Sequence, residues 1–148
     1  MIEVNQINNT EFDLKITTEG IYNITYIATD SNNIQYTDTI AIAAISRDTV
    51  DTLLKGKWGL MKEALSQGDI ENALIHFAEG SKNSFRQQFT ALSSILSQII
   101  NEMGTIMLVN IKGDMAEYDI RTVRNGTSYS FQLTFVRDKD GIWRIRSF

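Results

Sequence analysis

Residues 124–145 have the sequence RNGTSYSFQLTFVRDKDGIWRI. The Asn125-Gly126 dipeptide predicts a two-residue type I′ turn, because both central positions of that turn need positive φ. The residues after the turn alternate between polar and apolar, and the apolar ones are Tyr129, Phe131, Leu133 and Phe135. This period of two predicts a strand with one buried face. The polar cluster at residues 138–141 predicts a second turn, which leads into a final strand around Trp143.

Two further strands are predicted before this stretch. In the first of them the alternating apolar residues are Met107, Val109 and Ile111. In the second, the inward face carries Ala116, Tyr118 and Ile120. Charged residues alternate with this face and predict a solvated surface, which argues against a paired-carboxylate site. The four strands together predict an antiparallel meander.

Upstream of residue 105 the apolar residues recur with the period of an α-helix. They form three stripes: Leu54, Trp58, Met61 and Leu65; Ile70, Ala73, Leu74 and Phe77; and Phe85, Phe89, Leu92, Leu96 and Ile99. Gly56 and Gly59 weaken the first helix by about 1 kcal/mol each relative to alanine. Gly68 ends that helix, and Asp69 caps the second. Three helices followed by a meander predict an α+β domain, with no strand evident between the second and third helices.

Residues 11–45 alternate as strands, with a turn predicted at Asp30-Ser31-Asn32-Asn33. Tyr22 follows Gly20 and precedes the apolar Ile24 by two residues, which is the spacing of a tyrosine corner. A complete immunoglobulin-like sandwich needs about 100 residues in seven strands. Only about three strands are predicted here, so we expect the C-terminal part of an incomplete sandwich.

Charge and composition mark a domain boundary and exclude several classes of function. The 148 residues carry a net charge of −4, and residues 1–46 hold six acidic side chains against one lysine. We therefore expect one domain fragment at 1–46 and an α+β domain at 47–148. The absence of cysteine excludes disulfides and thiol chemistry. No basic face predicts nucleic-acid binding, no apolar run is long enough to span a membrane, and residues 1–10 do not resemble a signal peptide.

Two family resemblances follow from these motifs. Residues 20–42 resemble the last two strands of bacterial immunoglobulin-like repeats. Residues 48–148 resemble the nuclear-transport-factor-2-like superfamily, also described as cystatin-like, through Lys57-Trp58, the turn at Gly68-Asp69 and the closing Gly141-Ile142-Trp143-Arg144-Ile145. The second resemblance implies three helices packed on a curved sheet that encloses a conical cavity. It also implies that the open sheet face can form a homodimer.

The combination of both parts resembles uncharacterised bacterial surface or periplasmic proteins. It implies an extracytoplasmic location, an export signal upstream, and other domains of the same polypeptide as partners. Enzymes of the superfamily place an acid/base residue inside the cone, and the matching candidates are Tyr118 and His76. The residues themselves favour a packed ring for Tyr118 and a half-exposed helix position for His76, since a lone histidine without an orienting partner is weak evidence for catalysis.

Seven side chains are candidates for the lining of the cone: Trp58, Met61, Phe77, Phe85, Tyr118, Phe131 and Trp143. In a domain of this size the same residues more often form a plain core. No metal site or cofactor is predicted, because the turn at residues 30–33 is too short for a calcium loop and lacks its later glutamate.

Three functions remain open from the sequence. The first is a non-catalytic interaction or structural module at the C-terminus of a secreted or surface multidomain protein. The second is an isomerase- or cyclase-type enzyme that uses Tyr118 and His76 around an apolar cone. The third is passive binding of an apolar ligand, which requires a cavity of about 300 Å³ or more. The missing catalytic constellation favours the first.

Overall fold

The computed structural model describes residues 2–148, apart from the side chain of Arg124. It is a mixed α+β structure with four helices and eight strands in antiparallel sheets. The chain divides into two compact units, Met1–Val50 and Asp51–Phe148. The boundary between the units lies within the first helix, which begins at Arg47.

The first unit consists of two antiparallel hairpins. The strands are β1 Ile2–Asn8, β2 Glu11–Ile16, β3 Gly20–Thr29 and β4 Gln35–Ala44. Strand β1 pairs with β2, and β3 pairs with β4, so each sheet has two strands. The turn predicted at residues 30–33 joins β3 to β4, and Asp30 Oδ1 accepts hydrogen bonds from the amides of Asn32 and Ile34. The expectation of about three strands was too low, because residues 2–8 form a strand that alternates too weakly to stand out.

Each hairpin of the first unit has one apolar face. In β1–β2 the cross-strand pairs on that face include Val4 with Leu14. In β3–β4 they include Tyr22 with Ile42 and Ile24 with Ile40. These faces are poorly covered, since Val4, Phe12, Tyr26, Tyr36 and Ile40 on them are exposed. Further exposed apolar side chains of the unit lie on the opposite faces or outside the strands: Ile7, Ile21, Ile27, Ile34 and Ile45.

Tyr22 makes the hydrogen bond expected from its position. Its hydroxyl donates to the backbone carbonyl of Thr18 at 2.8 Å, four residues upstream. A tyrosine corner is defined by this bond from a tyrosine at the start of a strand back to the preceding backbone. The spacing of Gly20, Tyr22 and Ile24 therefore predicted a real local contact.

The second unit contains a four-stranded sheet and the helices, apart from the first residues of the first helix. The helices are α1 Arg47–Ser66, α2 Ile70–Leu74, α3 Glu79–Ala91 and α4 Leu96–Glu102. The strands are β5 Ile106–Lys112, β6 Met115–Arg124, β7 Thr127–Arg137 and β8 Trp143–Ser147, and they pair in that order. The Asn125-Gly126 turn is confirmed, since the two residues have φ of 50° and 77°.

The prediction of three helices was wrong, because the third stripe is divided between α3 and α4. The amide of Leu92 donates to Gln88 as α3 ends, and residues 92–95 form turns. Ser93 and Ser94 have side chains that compete for backbone hydrogen bonds, which favours a break there. His76 also lies outside a helix, in the turn that follows α2.

Strand β5 also differs from its predicted pattern. Its register with β6 shifts between Leu108 and Asn110. Met107 and Val109 are exposed, whereas Ile106 is buried and Leu108 is half-buried, so the inward face before the bulge is the opposite of the predicted one. After the bulge, Ile111 is half-buried. A simple alternation could not show this, since a bulge inserts one unpaired residue and changes the face that follows.

A single β-bridge lies between α2 and α3, where no strand was evident from the sequence. Phe77 pairs in parallel with Ile145. The amide of Ile145 donates to His76 and the amide of Ala78 donates to Ile145, each at 2.8 Å. This bridge attaches the helical segment to the edge of the sheet at β8.

The turn between β7 and β8 carries an ion-pair cluster that makes its stability depend on pH. Arg144 donates to Asp140 at 2.6 Å and to Asp138 at 2.8 Å. The Arg144 hydrogen bond, followed by that from the Ile142 amide, lowers the pKa of Asp140 to about 2. A lowered pKa stabilises the fold above the unfolded value of about 3.9, and that contribution is lost as the pH falls toward 2.

We expect Asp140→Asn to remove this acid-sensitive contribution. The free energy of unfolding of the natural protein should exceed that of the variant at about pH 5, and the difference should shrink between about pH 4 and pH 2. Urea unfolding of both proteins at several pH values measures it. A difference that stays constant across this range would show that Asp140 is not paired in solution.

Candidate functional site

A small opening lies in the second unit. Its volume is about 190 Å³, and its lining residues are Ile99, Glu102, Met103, Ile120, Thr122, Phe131 and Phe148. Pockets for small molecules typically have volumes of about 300–1,000 Å³. The opening is therefore smaller than the cavity that passive binding of an apolar ligand requires.

An aromatic cluster packs the helical segments against the C-terminal residue of the chain. Its members are Trp58, Phe77, Phe85, Phe89 and Phe148. Phe148 stacks on Phe85 with ring centroids 5.0 Å apart. It also forms a T-shaped pair with Trp58, with ring centroids 5.2 Å apart. Sequence reasoning missed Phe148, because it follows the last strand and belongs to no periodic pattern.

The seven predicted lining residues occupy different environments. Trp58, Phe77 and Phe85 belong to the aromatic cluster, and Met61 is fully buried in the core. Phe131 is 50% exposed and does line the small opening. Trp143 is buried elsewhere, with the Arg137 guanidinium 5.8 Å from its ring centre. These side chains therefore do not surround a common cavity.

Tyr118 points inward, as its strand parity predicted, but its hydroxyl is engaged by another side chain. The ring is fully buried, and the hydroxyl donates to Asp51 Oδ1 at 2.9 Å. The other oxygen of Asp51 pairs with Lys55 at 2.7 Å. This arrangement joins β6 to α1 and uses the polar atom that a catalytic Tyr118 would direct at a substrate.

His76 is half-buried, and neither His76 nor Tyr118 lines the small opening. Burial, together with the nearby charge of Lys57, lowers the pKa of its imidazole. The neutral imidazole is therefore favoured at pH 7.

The described residues show neither a metal cluster nor a membrane helix. No group of three or more histidine, aspartate or glutamate side chains among them is arranged to hold a metal ion. No helix in this part of the chain is long and apolar enough to cross a bilayer.

Two open grooves lie on the surface of the second unit. The larger, of about 780 Å³, follows the end of the β6–β7 hairpin and has the polar lining residues Asn101, Glu102, Thr105, Asp119, Arg121, Thr122, Ser128 and Ser130. The second, of about 550 Å³, lies between α1 and the start of β5. We name it the lysine groove; its lining residues are Lys55, Trp58, Gly59, Lys62, Gly104, Thr105 and Ile106.

Trp58, one of the residues that line the lysine groove, has a polar atom without a partner. Trp58 is 4% exposed, and its indole Nε1 is a buried donor that makes no hydrogen bond with any residue that the structure describes. Sequence reasoning placed Trp58 in the cone but missed the groove. The relevant signal was the spacing of Lys55, Gly59 and Lys62, which puts them on one side of α1.

Comparison with protein-family models, with curated proteins and with solved structures finds no match to this chain. Its function is therefore argued from the geometry of its own residues.

Proposed function

We propose that this chain is a non-catalytic interaction and structural module of a secreted or cell-surface multidomain protein. The observation that carries the proposal is the pair of exposed apolar faces on β1–β2 and β3–β4. These faces require partners, which we identify as further β-strands of an immunoglobulin-like sandwich in the same polypeptide. The second unit serves as a nuclear-transport-factor-2-like domain whose interior is filled by its own side chains.

The energetics of the hairpins support this proposal. A two-stranded hairpin is marginal in water, and independent stability needs more strands or a covering layer. On the apolar face of β3–β4, Tyr36 is 57% exposed and Ile40 is 46% exposed, so apolar surface remains in water. Burial of apolar surface contributes about 25 cal/mol per Å², which gives the added strands a strong driving force.

The hydrogen-bonding pattern identifies the kind of partner. Each sheet of the first unit has two strands, so each strand has one edge that no other strand covers. Open edges pair with extended strands. The tyrosine corner from Tyr22 to Thr18 is a feature of immunoglobulin-like sandwiches, which supports strands of that fold as the partner.

The isomerase or cyclase alternative has less support. The interior opening of about 190 Å³ is small. Tyr118 is engaged by Asp51, and His76 lies near Lys57 instead of an orienting carboxylate. A general base normally works within hydrogen-bond reach of its substrate, with a partner that orients it.

Hydrogen exchange followed by mass spectrometry tests the proposal. The amides of β3 and β4 should exchange fast in the isolated chain of 148 residues and much more slowly in the natural full-length polypeptide. The amides of β6 and β7 are the internal control and should be protected in both. Equal exchange of β3 and β4 in the two samples, whether fast or slow, would overturn the proposal.

A further inference from the structure

We propose that the lysine groove binds a small organic monocarboxylate with an apolar body, held by the Trp58 indole N–H and the Lys62 ammonium group. The inference concerns the second unit and does not depend on the partner strands proposed for the first. It follows from an unpartnered buried donor, an uncompensated positive charge and a groove of suitable size.

The first observation is the unpartnered donor. Leaving a buried donor without a hydrogen bond costs about 1–3 kcal/mol. Such an atom in a folded protein needs an explanation, and one explanation is an acceptor that binds from outside. Because Trp58 lines the lysine groove, we infer that its indole N–H is the donor that a ligand oxygen reaches from the groove.

The second observation is the charge balance of the groove. Lys55 is neutralised by Asp51 at 2.7 Å. Lys62 instead donates to the neutral backbone carbonyl of Met103, and no carboxylate within the described residues forms an ion pair with it. The groove therefore carries one uncompensated positive charge, which matches a monoanion.

Partial burial strengthens the preference of Lys62 for an anion. Burial lowers the pKa of its ammonium group, because the charged form has lost part of its hydration. A bound carboxylate replaces the missing hydration with a charge-assisted hydrogen bond, which is stronger than a neutral one.

The remaining lining favours an apolar body on the ligand. Ile106, the ring of Trp58 and the methylene stems of the lysines contribute the rest of the wall. The volume of about 550 Å³ accommodates a molecule of metabolite size. Gly59 leaves the groove open, since a Cβ built there meets no atom within 4 Å.

The wall opposite α1 is held in place by hydrogen bonds to backbone carbonyl groups. The Arg121 amide donates to Thr105 at 3.1 Å, and the Thr122 hydroxyl donates to Glu102 at 2.7 Å. Together with the Lys62 bond to Met103, these contacts attach the segment before β5 to both β6 and α1. The groove is therefore pre-formed, which reduces the ordering cost of binding.

Two-dimensional ¹H–¹⁵N NMR tests this site directly, because the chain has two tryptophans and hence two indole N–H signals. We expect octanoate to shift the Trp58 signal strongly and the Trp143 signal little, since Trp143 does not line the groove. Octanamide has a similar shape without the charge and should bind about tenfold more weakly or worse. Trp58→Phe assigns the signals, and it should weaken octanoate binding about tenfold or more.

A pair of glycine substitutions provides a matched control that leaves the binding groups intact. Gly59→Leu places its side chain in the groove, while Gly56→Leu lies on the same helix outside it, and neither new Cβ meets another atom within 4 Å. Both should stabilise α1 by helix propensity. Gly59→Leu should abolish octanoate binding, and Gly56→Leu should leave it unchanged.

Four results would overturn the proposal: an unmoved Trp58 signal at millimolar octanoate, equal shifts of both indole signals, equal affinity for octanamide, or equal effects of the two glycine variants. If Trp58→Phe does not fold, the glycine pair decides the question with the natural tryptophan in place.

Discussion

Replacing Gly104 by alanine is expected to destabilise the second unit by about 3 kcal/mol, the upper part of the range for overpacking. A Cβ at this position would lie 1.6 Å from the Arg121 carbonyl oxygen and 2.8 Å from its carbonyl carbon. Both atoms belong to the backbone of β6, so the clash cannot be relieved by rotating a side chain. The segment before β5 must move away from the sheet.

Urea unfolding of Gly104→Ala measures this effect, and Gly80→Ala is the matched control. A Cβ at Gly80 meets no atom within 4 Å, so that change should be neutral or slightly stabilising in α3. Similar unfolding free energies for the two variants would show that Gly104 and Arg121 do not approach closely in solution. Because Gly104 also lines the lysine groove, its variant should weaken octanoate binding as well.

Replacing Phe77 by alanine should cost about 3–5 kcal/mol of unfolding free energy, the range for truncating a buried phenylalanine. Phe77 is fully buried and packs against Phe85 at 4.6 Å and Phe89 at 5.9 Å between ring centroids. The truncation removes these contacts and leaves a cavity at the centre of the aromatic cluster. Phe77 also bridges to β8, so the attachment of the helices to the sheet should weaken.

Phe131→Ala is the control for this prediction. Phe131 has the same side chain but is 50% exposed, so its truncation should cost much less. Thermal and chemical unfolding of both variants distinguish the two positions. Equal costs would mean that the interior is less tightly packed around Phe77 than the ring distances indicate.

These two variants address how the domain uses its interior. A ligand-binding cone needs empty space, whereas the aromatic cluster packs five rings against one another. The interior therefore stabilises the domain, and the surfaces that remain for function are the hairpin faces of the first unit and the grooves of the second. This distribution supports an interaction module over an enzyme with a buried active site.

Much of the local structure could be predicted from the sequence. The Asn125-Gly126 turn, the tyrosine-corner bond of Tyr22 and the inward direction of Tyr118 all follow from short-range patterns. Turn dipeptides restrict φ, and strand periodicity assigns faces, so neighbouring residues contain the necessary information. The helix break at residues 92–95 was missed, because the long apolar stripe runs across it.

The candidate sites depended on contacts between distant parts of the chain. Phe148 meets Trp58 across 90 positions of sequence, and Lys62 donates to Met103 from a different element. Whether an aromatic side chain lines a cavity or fills one depends on which other rings reach the same space, and no local pattern encodes that. The sequence alone determined the α+β order of elements and the apolar faces, because these depend on propensity and periodicity. Tertiary packing alone assembled the aromatic cluster, left the Trp58 donor unpartnered and formed the lysine groove, because each of these results from side chains that meet only after folding.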